Sequence, residues 1–316
     1  MITAITVENF KGVKHQEFVF NRVFAVEARV GVDAFLVFDE LWLLDRLARG
    51  MVAASAPYGW IGESKPTSLK VMINNVPTGE VSYEIVLQRF GLITVILSEK
   101  VYFKDVGFLV RDRQSYSLGN QERQFEIDSS QAALSVAMPF SGLDPISAIR
   151  DELTQAWLAV PNPVQMDSAV KYGLLDRDVV LQYLASHIVR WQQAHPIIYG
   201  VMMASLNELG SSITGMSVET NSFDAQYLAV RYVNRYDGGV VPFELVEQNE
   251  KILIFAAFVR AVNEYVNPIT VVWHSPLNWL GQKEGGNVVK MLAKSFSMQG
   301  QLIMLSREHA VLRGVK

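Results

Sequence analysis

From Glu247 onward the chain switches regularly between helical and strand-like periods, and this order limits the fold more than any other feature. Glu247 to Tyr265 reads as a helix, and Ile269–Trp273 as a short apolar strand. About Gly286 to Ser297 reads as a second helix, and Gln301–Leu305 as a second strand. Helix–strand–helix–strand order predicts parallel pairing and an α/β fold. The first half is different. Ile2 to Val7 alternates β-branched and polar residues, and Glu17–Phe20 and Arg22–Val26 read as strands around a turn at Asn21. Asp33–Arg49 fits a helix, with Leu36, Leu41, Leu44 and Leu47 on one face and Gly50 as its stop. Strands follow at Leu69–Ile73, Val81–Phe90, Leu92–Ser98, Gly107–Arg113 and Gln124–Asp128. In the middle, Asp144–Val160 reads as a helix capped by Asp144 or Ser141 and broken by Pro161-Asn162-Pro163. Arg177–Gln193 and Pro196–Leu209 read as two more helices, and Ser217–Asn221 and Gln226–Tyr236 as strands.

With 316 residues, half of them apolar, the chain can bury a large core as one big domain or two lobes. Net charge is −4, with lysine and arginine spread along the chain. That argues against a strongly electrostatic nucleic-acid binder. Cysteine is absent, which excludes disulfides, zinc-thiolate sites and thiol nucleophiles and suits a reducing cytoplasm. No signal peptide is visible at Met1–Asn9. The longest apolar stretch, Ile252–Val259, is far short of the roughly 20 residues that span a bilayer, so a soluble, cytoplasmic protein without a membrane partner is expected.

Five segments carry a resemblance. Ile5-Thr6-Val7-Glu8-Asn9-Phe10-Lys11-Gly12 opens the chain; Ala28–Phe35 precedes the first helix, which holds Phe38-Asp39-Glu40-Leu41; Pro242–Lys251 precedes the long C-terminal helix; Ile269–Leu280 and Gln301–Glu308 hold the last two strands. Together they resemble the SMC/RecF/ABC-like heads of the AAA-type bacterial ATPases, including OLD-type and other phage-defence relatives, over nearly the full length. The resemblance implies a P-loop NTPase fold of ABC/SMC-head type, with a β-rich N-terminal part, an inserted helical lobe and no long coiled coil. Expected boundaries are 1–135 and 216–316 for the two parts of the ATPase-like lobe and 136–215 for the helical lobe.

The same register implies that the catalytic residues are gone. A working phosphate loop reads G-x-x-x-x-G-K-[ST], its amides and lysine on phosphate and its hydroxyl on magnesium. Here Ala28 and Asp33 stand at the glycines, Ala34 at the lysine and Phe35 at the hydroxyl, with Gly31 alone in register. Val246 and Asn249 stand at the serine and glycine of the signature motif, His274 and Ser275 at the magnesium-organising aspartate and catalytic glutamate, and Arg307 at the switch histidine. Each hydrogen bond to a charged group contributes roughly 1.5–3 kcal/mol, and about 1.4 kcal/mol is tenfold in affinity. Losing the lysine, hydroxyl and metal partner together removes several orders of magnitude of binding on that scale, and losing the base removes hydrolysis separately.

Each residue also has a plainer reading. Gly31 alone is an ordinary turn glycine, His274 a strand-end histidine, Arg307 a solvated arginine, and Asp39 and Glu40 a solvated helix face. Glu99, Arg111 and Arg113 match the acidic and arginine positions of a family strand, and a polar strand face explains them nearly as well. His187 and His195 are too far apart for a ligand pair, so no metal and no cofactor is expected. The leading expectation is a catalytically inactive pseudo-ATPase that works by protein–protein contact. It would act as a subunit or regulator of a bacterial or phage defence or DNA-maintenance complex, binding a like or unlike partner through the former nucleotide face, with Val30, Val32, Phe35 and Trp273 filling it. The alternative is a residual nucleotide- or nucleic-acid-binding module using Lys11, Lys14, Arg22 or Arg29.

Overall fold

The computed structural model describes residues 1–27, 33, 35–75, 79–104, 106–119, 124–138, 144–169, 183–233, 239–266, 268–275 and 278–306. In chain order the strands are β1 (Ile2–Phe10), β2 (Val13–Val19), β3 (Val23–Glu27), β4 (Thr67–Asn75), β5 (Gly79–Phe90), β6 (Ile93–Phe103), β7 (Val106–Asp112), β8 (Ser115–Leu118), β9 (Gln124–Glu126), β10 (Trp157–Ala159), β11 (Ile213–Thr220), β12 (Gln226–Tyr232), β13 (Val240–Pro242), β14 (Thr270–His274) and β15 (Gln301–Ser306). The helices are α1 (Phe35–Ala48), α2 (Ala133–Val136), α3 (Pro145–Gln155), α4 (Leu184–Ala194), α5 (Ile197–Glu208), α6 (Gln248–Tyr265) and α7 (Gln282–Met298). The chain divides into two compact units, Met1–Asn21 with Arg29–Ala156, and Arg22–Ala28 with Trp157–Lys316.

The first unit is built on an eight-stranded antiparallel sheet, in the order β2-β1-β4-β5-β6-β7-β8-β9. Alternation sets its faces: in β5, Val81, Tyr83, Ile85 and Leu87 are buried while their neighbours are half-exposed. The turn from β1 to β2 is two residues, Lys11 and Gly12, both at positive φ (50° and 81°), with Phe10 opposite Val13. That is the primed geometry whose twist matches a right-twisted hairpin. Lys11 Nζ is ion-paired with Asp39 of α1 and lies 5.0 Å from the Trp60 ring. Asp39 is therefore half-buried and paired. Glu40 is fully buried, and neither of its oxygens has a hydrogen-bond partner among the described residues. The solvated face expected for this pair does not exist, because α1 lays Glu40 on the same side as Leu36, Leu41 and Leu44. Burial pushes the Glu40 carboxyl well above its ordinary 4.5, and the Lys70 backbone amide opposes this without cancelling it.

Glu99 and Arg111 are also buried rather than on a polar strand face. Glu99 accepts from the Tyr83 hydroxyl (3.0 Å) and from the amides of Ala133 (2.6 Å) and Leu134 (2.7 Å). Arg111 lies 3.6 Å from it and donates to the carbonyls of Arg113, Gln131 and Asp128. Each nitrogen of the guanidinium is thus directed at an acceptor, and residues 128–134 are held on the sheet. The expected helix from Asp144 does form, with Asp144 Oδ1 accepting from the Ile146 amide at 2.6 Å and Pro145 in its first turn. It stops at Gln155, however, and Trp157–Ala159 pairs parallel with Val271–Trp273, so sheet pairing overrides the helical pattern that runs to Val160.

In the second unit all four strands of the sheet β10-β14-β15-β3 run parallel, as helix–strand alternation requires. β15 is buried at all six positions, and β14 at all but His274. Helices cover such sheets on their faces, which is why these strands read as unbroken apolar runs. Helix α6 is buried from Glu250 to Val259 and packs against α5 and α7. Asn263 at its end donates to the Ser295 hydroxyl (3.3 Å) and the Gln299 carbonyl (3.1 Å) and accepts from the Ile269 amide (3.3 Å). It thereby ties α7 to the start of β14. Gly300 turns the chain there at φ +74°, where a Cβ would run into Asn263 Oδ1 and come within 2.7 Å of the Ile269 carbonyl. A separate three-stranded antiparallel sheet, β11-β12-β13, completes the unit.

Arg111→Met leaves a buried carboxylate uncompensated, and chemical denaturation should register a loss of about 3–5 kcal/mol. Gly300→Ala combines strain with overlap and should cost more than about 1 kcal/mol in the same assay. Glu40→Met should be more stable than the parent at neutral pH. A carboxyl raised in the folded state contributes stability below its unfolded pKa and loses it as pH rises through the folded value. Melting curves between about pH 5 and pH 8 should therefore show the parent falling relative to Glu40→Met as pH rises. Parallel curves would rule out this account of Glu40.

Candidate functional site

The register of the parallel sheet aligns the ends of three of its strands. His274 lies opposite Leu305, and Leu305 opposite Val26, so β14, β15 and β3 end in a row. Glu27 and Ser306, the residues before the segments matched to the phosphate loop and to the switch position, and His274, matched to the metal-organising position, stand at these strand ends. In open α/β sheets, ligands bind outside the carboxyl ends of the strands. The row of strand ends in the second unit corresponds to that position.

Of the phosphate-loop positions, Ala28, Gly31 and Ala34 lie outside the described residues, as do Arg29, Val30, Val32 and the switch position Arg307. Asp33 and Phe35 are described. Asp33 Oδ1 accepts from the Phe35 amide at 3.0 Å, and its carbonyl accepts from the Leu36 amide at 3.1 Å. Asp33 therefore caps α1. The first amides of a helix have no acceptor in the helix itself, which makes them an anion site. Here a carboxylate of the chain takes that role. Phe35 is half-buried and carries no hydroxyl for a metal.

His274 is half-buried at the end of β14. Ser275 follows at φ +50°, and its amide donates to the Leu305 carbonyl at 2.7 Å, extending the ladder by one residue. Trp273, expected to line an apolar interface, is instead fully buried, edge-on to Phe255 with ring centroids 4.9 Å apart. Cover on the sheet faces explains this: β14 is buried from Thr270 to Trp273, and His274 at the strand end is the one position that escapes the core.

The signature-matched segment is also turned inward. Val246 is buried in the core, closing a short 3₁₀ turn (Phe243–Leu245), and Asn249 is half-buried in the first turn of α6. Glu250 accepts from the Tyr232 hydroxyl at 2.7 Å. Lys251 is buried, donates to the carbonyls of Pro163 (3.0 Å) and Glu244 (2.8 Å) and lies 5.6 Å from the Phe243 ring. Burial lowers its pKa, with Glu244 acting in the opposite direction. The charges of this segment thus serve packing. Sequence reasoning missed this because a Glu-Lys pair at a helix start reads as solvated.

The cations considered for an alternative ligand contact are mostly engaged. Lys11 pairs with Asp39, and Arg22 donates to the Met298 carbonyl at 2.9 Å; Lys14 is exposed. His187 is buried, which lowers its pKa to about 4, with Arg190 adding to the effect; His195 stacks on Trp191 at 5.5 Å. Among the described residues no group of three or more histidine and acidic side chains could hold a metal ion, and no helix is long and apolar enough to cross a membrane.

No protein-family profile matches the sequence, and no curated protein matches it. Solved structures do match. An SMC head bound to the C-winged helix domain of ScpA is 14% identical, with a TM-score of 0.57, over 99% of this chain and 92% of that one. An SMC head with an extended coiled coil, bound to the C-terminal domain of ScpA derived from Pyrococcus furiosus, is 12% identical, with a TM-score of 0.51, over 99% of this chain and 91% of that one. The SMC head domain from Thermotoga maritima is 13% identical over 100% of this chain and 92% of that one, with a TM-score of 0.49. Among the described residues the longest helix, α6, has 18 residues, so no long coiled coil is present. The chain has the mixed α/β fold of an SMC/ABC-type ATPase head.

Proposed function

We propose that this chain is a pseudo-ATPase, a head that neither binds nor hydrolyses ATP and works in the cytoplasm by binding another protein. The observation that carries this reading is the Asp33 cap. Its carboxylate accepts from the helix amide that would face a phosphate, and a second anion brought there meets like-charge repulsion. The other positions agree with it. Val246 offers the core a side chain without a hydroxyl, and the sheet edge carries His274 and Ser275 where a metal-organising carboxylate and a base are needed. Lys11 and Arg22, two of the cations that a residual ligand contact would use, have partners elsewhere.

The class of partner follows from what such a head retains. Without nucleotide chemistry, its use is as a surface, and the sheet edge at the ends of β3, β14 and β15 is where a like or unlike subunit would sit. Two of the similar structures are heads with a protein bound, the ScpA domain in each. We place this chain in a bacterial or phage-borne defence or DNA-maintenance complex in which the partner supplies catalysis.

Calorimetry with ATP–magnesium and with ADP, up to about millimolar nucleotide, should give no saturable heat. Saturable binding that weakens in Arg29→Ala would overturn the proposal. Light scattering and recovery of co-purifying protein from the native host complete the test: a strict monomer that retains no partner would also defeat it.

A further inference from the structure

The eight-stranded sheet of the first unit ends in an open edge. β2 pairs with β1 on one side, and among the described residues no strand pairs with its other side. Which groups face outward follows from the ladder. The Phe20 amide donates to the Thr3 carbonyl at 2.8 Å, one step beyond the Ala4–Val19 pair. Bonded and non-bonded pairs alternate along an antiparallel ladder. Phe18 and Gln16 therefore turn their backbone groups toward β1, and the amides and carbonyls of Val19, Glu17 and His15 point away from the sheet. These three residues are exposed, and no hydrogen bond among the described residues reaches their outward backbone groups. Such a row is a template for another strand. The opposite edge, β9, is three residues long, whereas β2 has seven.

The sequence of β2, Val13-Lys14-His15-Gln16-Glu17-Phe18-Val19, is complementary to its own reverse. Two copies laid antiparallel about a two-fold axis at Gln16 set His15 of each against Glu17 of the other as bonded pairs, with Val13 against Val19 beyond them. Between these, Gln16 meets Gln16, and Lys14 meets Phe18, an ammonium beside an aromatic ring. The neighbouring registers are worse. An axis at His15 sets that residue against itself and Val13 against Glu17. An axis at Glu17 sets two carboxylates face to face, which is destabilising. The side chains agree with the central register. His15 Nδ1 lies 3.4 Å from Glu8 Oε1 on the exposed face, and Glu17 of a second copy adds a further carboxylate there. Gln16 Oε1 has no donor among the described residues, so turning its amide toward a second glutamine costs that oxygen no hydrogen bond. Val19, 64% exposed, gains apolar cover.

We infer that β2 is a self-association edge: two copies of this chain pair antiparallel through Val13–Val19 about Gln16 and join their eight-stranded sheets into one. A single strand pair is smaller than the interface of a stable dimer, so the association is reversible and depends on concentration. β2 belongs to the first unit, whereas the strand ends proposed above as a partner surface belong to the second. Either reading can therefore fail while the other stands.

Because the chain has no cysteine, the register can be tested directly. In full-length Gln16→Cys the two sulfurs meet at the axis, where the α-carbons of a non-bonded pair lie about 4.5 Å apart, within disulfide reach. In Lys14→Cys the two positions are about 13 Å apart along the strands. Oxidation with diamide should cross-link Gln16→Cys and leave Lys14→Cys uncross-linked on a non-reducing gel. Sedimentation velocity of the parent chain should show a dimer that grows with concentration. Glu17→Pro should abolish it and still fold, because it removes only an outward amide. His15→Glu, at an exposed position, opposes like charges twice and should weaken association by at least about tenfold. If Glu17→Pro does not fold, His15→Glu and the two cysteine variants still decide. A chain monomeric at every concentration, equal cross-linking of both cysteine variants, or undiminished association of His15→Glu would overturn the inference. So would a dimer that persists in folded Glu17→Pro, or an unrelated host protein held at β2 in place of a second copy.

Discussion

Parallel strands cannot be joined by a tight turn, and most of the second unit follows from that. Each strand of the β10-β14-β15-β3 sheet leaves the sheet at its carboxyl end, and the next begins again at the opposite edge. Residues far apart in sequence therefore end up in one row, as Val26, Leu305 and His274 do. The same constraint makes the strands apolar throughout and requires helices such as α6 and α7 to be present. A row of strand ends on one side of the sheet is a by-product of this topology.

Two unsatisfied charges with opposite resolutions organise the first unit. The amides at the start of α1 need an acceptor, and Asp33 supplies one within the chain. The guanidinium of Arg89 also needs an acceptor, and the described residues offer only a distant carbonyl. Glu40 is a third case, a carboxyl in the core whose pKa burial raises and which has no cation paired with it among the described residues.

The fold was largely readable in the sequence because period and order carry it. The hairpin run from Leu69 to Asp128 and the final helix–strand units lie where alternation and helical spacing put them, although α7 starts at Gln282 rather than near Gly286. The short elements were missed: β8, β10 and β13 have three or four residues each and form through their neighbours rather than from local pattern. At the candidate site the strands that carry the matched segments were legible, but burial was not. Trp273, Val246, Lys251 and Glu40 were assigned to surfaces or left open, and each is in the core because of contacts made by residues distant in sequence. Arg89 gave no signal, since an arginine in a strand reads as a solvated face until its cross-strand neighbour is known.

The seven residues of Arg22–Ala28 belong to the second unit, while the chain on both sides of them belongs to the first. Synthesis on a ribosome turns this into an order of events. β3 is among the first strands to emerge, yet its sheet partner, β15, begins at Gln301, near the other end of the chain. Until then the apolar run Val23–Val26 has no ladder to join and must be kept from pairing elsewhere. The first unit, by contrast, has all its strands by Glu126 and can settle early. The last step of folding is thus the closing of a contact between the two ends of the sequence, and a nascent chain stalled before Gln301 would present an open strand to the cell's chaperones.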